Sequence, residues 1–479
     1  MKVSKATAFK FLSGFILSFL IMVMSGKVRA NSTEITVDVN QVMSDISHNP
    51  IGISINFTPV TTQIATSLKD LNIGSLRYPE GEVGDYYIFD KDEPTKLKLS
   101  LQDSNIWSTT VDSLVKADGT YNATLSFDDF MSICKSTKTE PFIIVGIDAI
   151  AYTGDAPHAT PEEVLEAAVE WVKYANINKK YGIKYWEIGN ETDLNIENDG
   201  YKNWTAQKYA DTVVEFSRAM KAVDPSIEIG ANAFAESKWW DKILPIIKDD
   251  VDFLVPHQYS WLKSYQEWKN DPYQYDYNIK AASSAIDTYN PNLRMNVTEI
   301  SSLNPENDSE RNNTWKMLHN FEVLGNALLY DRLDYLHFWT AKWLEEDSYS
   351  ESYSAFNSDY KLMPMGYPVK IWSNFLKRKM VYSTRQTGTI RSWASYDPDD
   401  GSLNVFLLNK DEVSQNINLA LDNYRGTQNE GWVLKGSGPE STDVNWEKYN
   451  SASADGTSLK TTLEPLSVTI IAFESDRPN

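Results

Sequence analysis

Two short segments place a glutamate where it could do chemistry: Trp186-Glu187-Ile188-Gly189-Asn190-Glu191 and Asn296-Val297-Thr298-Glu299-Ile300-Ser301. In each, the glutamate closes an apolar or β-branched run, the point at which a strand hands over to a loop. Two carboxylates brought face to face can divide a reaction between them. One, held protonated, gives its proton to a leaving oxygen. The other, ionised, attacks the carbon. That pair is what cleavage of a glycosidic bond requires, and unlike surroundings are what push two such pKa values apart. The chain carries 66 Asp and Glu, so a glutamate at a strand end means little until the elements around it are considered.

From about residue 50 to 375 one theme repeats: a short β-branched run, then a longer helical pattern. Counting from Pro50-Ile51-Gly52-Ile53, the strands fall near residues 53, 76, 144, 187, 229, 255, 297 and 337. Pro141 to Ile147 is continuously apolar, as a strand buried on both faces must be. Thr160 followed by Pro161 predicts a helix from 161 to 179, with threonine at the N-cap and proline at its first position. Eight β-then-α units predict a (β/α)8 barrel. A doubly wound open sheet is the alternative, but no G-x-G-x-x-G follows an early strand. Past residue 380 the pattern turns to short alternating strands, such as Leu403 to Leu408, separated by turns like Pro398-Asp399-Asp400-Gly401. The predicted organisation is a barrel over 48–378 and an antiparallel β-sandwich over 379–479. A strand within 31–47 (Glu34 to Val39) is expected to join the sandwich.

Chemistry in such a barrel sits at the C-terminal ends of the strands. Glu191 follows the fourth strand and Glu299 ends the seventh, which puts them across the mouth from each other. With the strand order in hand, the Asn190-Glu191 segment resembles the Asn-Glu signature of the clan A glycoside hydrolases. The resemblance implies a retaining mechanism, with Glu191 as acid/base, Glu299 as nucleophile and Asn190 on the sugar 2-hydroxyl. Leu76-Arg77-Tyr78-Pro79-Glu80-Gly81 is similar to the Arg-x-Pro-Gly-Gly segment of the α-L-arabinofuranosidase-type families, which implies that Arg77 keeps the nucleophile ionised. Glu80 stands where that segment has glycine. His257-Gln258-Tyr259 resembles the His-x-Tyr after strand six, implying that Tyr259 bonds to the nucleophile. Trp339 resembles the floor under the reacting sugar. Asp148, ending the third strand, is a further candidate for substrate contact. The implied activity is an arabinofuranosidase-like hydrolase of plant or algal cell-wall polysaccharide. An endo-β-glycanase of xylanase, glucanase or agarase type would use the same two glutamates. A transglycosylase, or a carbohydrate-binding barrel without catalysis, are further readings.

Composition narrows the rest. A net charge of −21 with no long Lys/Arg cluster speaks against nucleic acid and anionic membranes as partners; the poly- or oligosaccharide partner is what the resemblance implies. One cysteine, Cys134, allows no internal disulfide and sits on an apolar helix face, where a buried structural role is expected. No metal or organic cofactor is implied. Lys2, Lys5 and Lys10, the apolar run Phe11 to Met24 and Val28-Arg29-Ala30 read as a signal peptide over 1–30, so a secreted or periplasmic protein free of the membrane is expected. Between the sixth and seventh strands lie Tyr259, Trp261, Tyr265, Trp268, Tyr273, Tyr275 and Tyr277. They read either as stacking platforms for several sugars or as a loop packed on itself. Oligomeric state leaves no mark in the sequence.

Overall fold

The computed structural model describes residues 32–476 apart from 58–61, 95–97, 99–124, 154–158, 197–202, 235–237, 273–274, 303–311, 343–352, 450–452 and 455. The signal expected over 1–30, and Tyr273, lie outside the described residues. Among those described, no helix is long and apolar enough to cross a membrane.

The first strand, β1 (Thr33–Asp45), precedes a closed barrel of eight parallel strands in sequence order. These are β2 (Ile51–Ser54), β3 (Ser75–Tyr78), β4 (Glu140–Val145), β5 (Tyr185–Ile188), β6 (Glu228–Ala233), β7 (Phe253–Tyr259), β8 (Arg294–Ser301) and β9 (Leu333–Phe338). The barrel and its strand positions match the expectation from sequence. Strands β2, β3 and β5 are buried along their whole length, because helices cover the outside and side chains fill the inside. One layer of that filling is Phe142, Tyr185, Phe253, Val255 and Tyr335. The helix after β4 spans Pro161–Val172, and its N-terminus is a capping box in which Thr160 and Glu163 satisfy each other's backbone amides. The stretch beyond it, read as the end of the same α-helix, winds as a π-helix over Lys173–Asn178. Cys134 is buried in the helix Phe127–Thr137.

The remaining strands form a mostly antiparallel sheet around a second apolar core, which includes Val37, Val405, Leu419 and Phe473. They are β10 (Lys379–Ser383), β11 (Gln386–Thr387), β12 (Ile390–Tyr396), β13 (Leu403–Asn409), β14 (Gln415–Asp422), β15 (Gly426–Gly436), β16 (Val444–Lys448), β17 (Ser453–Ala454), β18 (Ser458–Leu463) and β19 (Ser467–Ser475). The order runs β16-β15-β19-β13-β12-β10-β1-β14-β18-β17. β1 lies in its middle, antiparallel to β10 (Val37 opposite Ser383) and parallel to β14 (Val37 opposite Leu421).

The aromatic segment between β7 and β8 corrects one expectation. Part of it is a short helix, Tyr265–Asn270, capped by Ser264. Tyr265, Trp268 and Tyr275 are buried; Tyr265 and Trp268 join barrel to sandwich rather than facing a sugar, and the Tyr275 ring packs on His319. The Trp268 indole N–H donates to Glu322 at 2.8 Å, and the Tyr265 hydroxyl donates to the Lys410 carbonyl at 2.9 Å. Glu322, on the barrel helix Thr314–Ala327, also accepts from Arg391 of β12 at 2.6 Å and meets the Lys410 ammonium at 3.3 Å. Polar tips that need buried partners explain why Tyr265 and Trp268 face inward. Trp261 and Tyr277 remain exposed.

Candidate active site

Each proposed residue stands where a strand ends at one mouth of the barrel. In β7 and β8 the register sets His257 beside Glu299 and Tyr259 beside Ser301, so alternation aims His257, Tyr259 and Glu299 into the same space. After β5 the backbone turns through Gly189 at φ +74°, a conformation that costs glycine little. The turn is held by Asp85, whose carboxylate accepts from the Asn190 and Ile147 amides at 3.0 and 3.3 Å. It delivers Asn190 and Glu191 to the mouth.

Arg77, fully buried on β3, is the hub. Its Nη1 donates to Glu299 Oε1 at 2.8 Å and its Nη2 to Asn190 Oδ1 at 2.8 Å. Its Nε and Nη2 grip the two oxygens of Glu187 at 3.0 and 2.9 Å. A fork of this kind suits guanidinium and carboxylate. Glu187 is therefore a deeper partner of Arg77, as strand alternation predicts. The second oxygen of Glu299 accepts from the Tyr259 hydroxyl at 2.5 Å. His257 Nδ1 lies 2.9 Å from Glu191 Oε1 and 3.6 Å from Glu299 Oε2, while its Nε2 meets the Thr298 hydroxyl at 3.0 Å. Trp339 is half-buried, its ring 6.3 Å edge-on from Tyr259 and 5.6 Å from Tyr353.

The two glutamates are driven in opposite directions. Burial, with the Glu299 charge adding to it, raises the Glu191 carboxyl well above the usual range. Burial pushes Glu299 up as well, but His257, Arg77 and the Tyr259 hydroxyl outweigh it and hold Glu299 below the ordinary value. Burial also lowers His257, so the lasting positive charge beside Glu299 at neutral pH is Arg77. Burial and the neighbouring Glu299 raise Tyr259 well above its usual range, which keeps it a proton donor. Glu191, His257 and Glu299 each offer an atom within 4.8 Å of the others, a set that could hold a metal ion. Both Glu299 oxygens, however, are already engaged by Arg77 and Tyr259.

The structure thus gathers Arg77, Asn190, Glu191, His257, Tyr259 and Glu299 around one point. Asp148 is placed differently: it is fully buried and accepts from the Trp204 indole at 2.9 Å. Sequence reasoning did not foresee Asp85 as the support of this turn or Thr298 as the partner of His257, because their partners are backbone or distant side chains. It noted Glu80 without a role. Gly81 is part of the wall too. A Cβ there would lie 2.2 Å from Glu299 Oε1, so only glycine allows the backbone this close to the carboxylate.

No family model matches the chain. Curated relatives include the probable alpha-L-arabinofuranosidase C of Aspergillus niger, 28% identical over 182 residues, which are 34% of this chain and 30% of that protein. The intracellular exo-alpha-(1->5)-L-arabinofuranosidase 1 of Bacillus subtilis is 27% identical over 223 residues, 41% of this chain and 38% of that protein. The matched segment spans only 30% and 38% of these two relatives' lengths. Among solved structures, the GH51 arabinofuranosidase of Xanthomonas axonopodis pv. citri superposes with a TM-score of 0.71 at 15% identity, covering 92% of this chain and 100% of that one. The α-L-arabinofuranosidase of Thermotoga maritima in its arabinose complex gives 0.70 at 17%, with 92% and 100% covered. CelM2, a bifunctional glucanase-xylanase from a metagenome library, gives 0.66 at 15%, with 93% and 99% covered. The fold is that of these solved structures, an eight-stranded parallel barrel with an attached β-sandwich, and both the sequence relatives and the structural neighbours bear out the resemblance to α-L-arabinofuranosidase-type proteins.

Proposed function

We propose that the protein is an exported, retaining glycoside hydrolase that releases arabinofuranosyl groups from cell-wall oligo- or polysaccharide. The observation that carries this reading is the Glu191–Glu299 pair: oxygens within 4.8 Å and pKa values pushed apart. Retaining enzymes hold their carboxyl groups about 5–5.5 Å apart and inverting ones about 6.5–9.5 Å, so the short gap favours retention. Glu299 attacks the anomeric carbon as the C–O bond to the leaving group breaks, and Glu191 passes its proton to the departing oxygen. Glu191, now a base, then takes a proton from water, which displaces Glu299 from the glycosyl-enzyme. Asn190, fixed by Arg77, bonds the neighbouring hydroxyl, and Trp339 forms the floor. The names of the curated relatives support arabinose as the sugar; the amino-terminal segment Met1 to Ala30 supports export.

The exposed Trp261 favours a second reading. Its ring lies 6.2 Å from Phe234, which in turn lies 5.7 Å from Tyr259, so an aromatic row leads out of the site towards further sugar units. That arrangement suits internal cleavage of a chain. Product analysis separates the two: monosaccharide release means exo action, and a ladder of oligosaccharides means endo action.

The mechanism itself is tested with Glu299→Ala on an aryl α-L-arabinofuranoside. Turnover should vanish and return with azide, giving an azide adduct of inverted configuration. Full activity without azide would refute the assignment.

A further inference from the structure

Trp261 is 41% exposed and yet firmly held. Its ring meets Phe234 edge-on, 6.2 Å away at 73°. Its indole N–H donates to the Tyr277 hydroxyl, as does the Gln258 amide, and that hydroxyl donates in turn to the Tyr259 carbonyl at 3.1 Å. A tryptophan at a surface ordinarily gives its N–H to water. Here that edge is satisfied within the protein, so what Trp261 turns outward is chiefly ring carbon, a surface that gains from being covered. Holding it still removes in advance the ordering cost that a mobile side chain would charge a ligand.

Phe234 completes the platform and ties it to the acid/base. Its amide donates to Asp193 Oδ1 at 2.7 Å, in the turn Thr192–Ile196 directly after Glu191. Asn278 donates to the Phe234 carbonyl and, at 2.8 Å, to that of His257, whose ring meets Glu191.

Strand order gives the platform a side. Around the mouth, Glu191 follows β5, Phe234 follows β6, Trp261 follows β7, Glu299 lies on β8 and Trp339 follows β9. Trp339, the floor of the reacting sugar, stands on the Glu299 flank. Phe234 and Trp261 stand on the Glu191 flank. Glu191 protonates the leaving oxygen, so the departing chain lies on that flank.

We propose that Phe234 and Trp261 form the leaving-group subsite, with Trp261 stacking on a pyranose ring of the chain from which the reacting sugar is cut. A pyranose with equatorial hydroxyls presents a flat face of C–H bonds to a fixed indole, whereas a furanose is smaller and puckered. Trp261 touches no reacting atom; it sets which chains are accepted. The inference rests on the reading of the site as a glycosidase. It lets Trp261 serve the release of a branch as well as internal cleavage, since in both a chain leaves on this side.

The test is a ratio of kcat/KM values. The numerator is arabinofuranosyl-xylotriose, whose leaving group is a pyranose chain; the denominator is an aryl α-L-arabinofuranoside, whose leaving group is one small ring. In Trp261→Ala the ratio should fall roughly tenfold, through KM rather than kcat, and Trp261→Phe should recover most of it. Equal losses on both substrates would overturn the proposal. An aryl arabinobioside carries its second sugar on the Trp339 flank, and a loss concentrated there would overturn the assigned side. A loss as large with α-1,5-arabinotriose would overturn the preference for a pyranose. Calorimetry with xylotriose alone reads the platform without turnover: Trp261→Ala should bind it roughly tenfold more weakly than wild type. Equal affinity refutes the platform, while weakened affinity together with inactivity on every glycoside refutes the glycosidase reading alone.

Discussion

Arg77 Nη1 stands 2.8 Å from Glu299 Oε1 with both side chains buried, and the same guanidinium is clamped from below by Glu187. The nucleophile's charge therefore depends on a cation that is itself held in place. Removing it as Arg77→Ala strips the compensation from Glu299, whose pKa must rise. Because Glu299 acts ionised, activity should fall as pH drops through that raised value. The acid side of the kcat/KM profile should then move to higher pH, with a loss on the order of 100-fold at neutrality. Arg77→Lys restores charge but not the fork, so it should recover the pH profile more than the rate.

Glu191 acts in the opposite protonation state. Its raised pKa keeps it an acid at neutral pH, and activity on poor leaving groups should fall as pH rises through it. Glu191→Ala should remove that decline. It should also cost roughly 100- to 10,000-fold on natural linkages, the range of general acid–base catalysis, yet spare the first step with an activated aryl glycoside. Burst kinetics, with the second step now slow, check this.

The Tyr259 hydroxyl gives Glu299 its second hydrogen bond. Tyr259→Phe removes that donor and leaves the ring contact with Trp339. A drop in kcat of roughly 10- to 100-fold, with KM little changed, is expected, since hydrogen bonds to charged groups are worth about 1.5–3 kcal/mol. Steady-state kinetics on one aryl glycoside suffice.

Between barrel and sandwich, Glu322 answers Arg391, Lys410 and Trp268 at once. Glu322→Ala takes the bound carboxylate from two buried cations and should lower stability by about 3–5 kcal/mol, read as a shift in the urea midpoint. Catalysis at temperatures where the variant is folded should be close to normal.

What could be read from the sequence, and what could not, follows from the range of each interaction. Arg77, Asn190, Glu191, His257, Tyr259 and Glu299 each sit in a short motif at a strand end, and a barrel with strands in sequence order brings such ends together without further information. The contacts of Glu80 and Asp85 were hidden because their partners lie far along the chain: Thr340 is 260 residues from Glu80, and Asn190 is 105 residues from Asp85. Trp268 was ambiguous for another reason. Aromatic density looks alike whether a surface meets sugar or the neighbouring domain, and only the indole's partner, Glu322, separates the two. Asp148 shows the converse, a carboxylate at the expected strand end that serves the buried Trp204.

The position of β1 has a consequence for how the protein comes into being. Its neighbours in the sheet, β10 and β14, are encoded more than three hundred residues later, with the entire barrel between. During synthesis β1 leaves the ribosome first and waits, edges unpaired, until nearly the whole chain has emerged. Closing so long a loop is slow, and an unpaired edge invites stray pairing. The seven-tenths of the molecule in between must assemble around a thread already committed to its other end, so the two domains cannot be separated by a single cut.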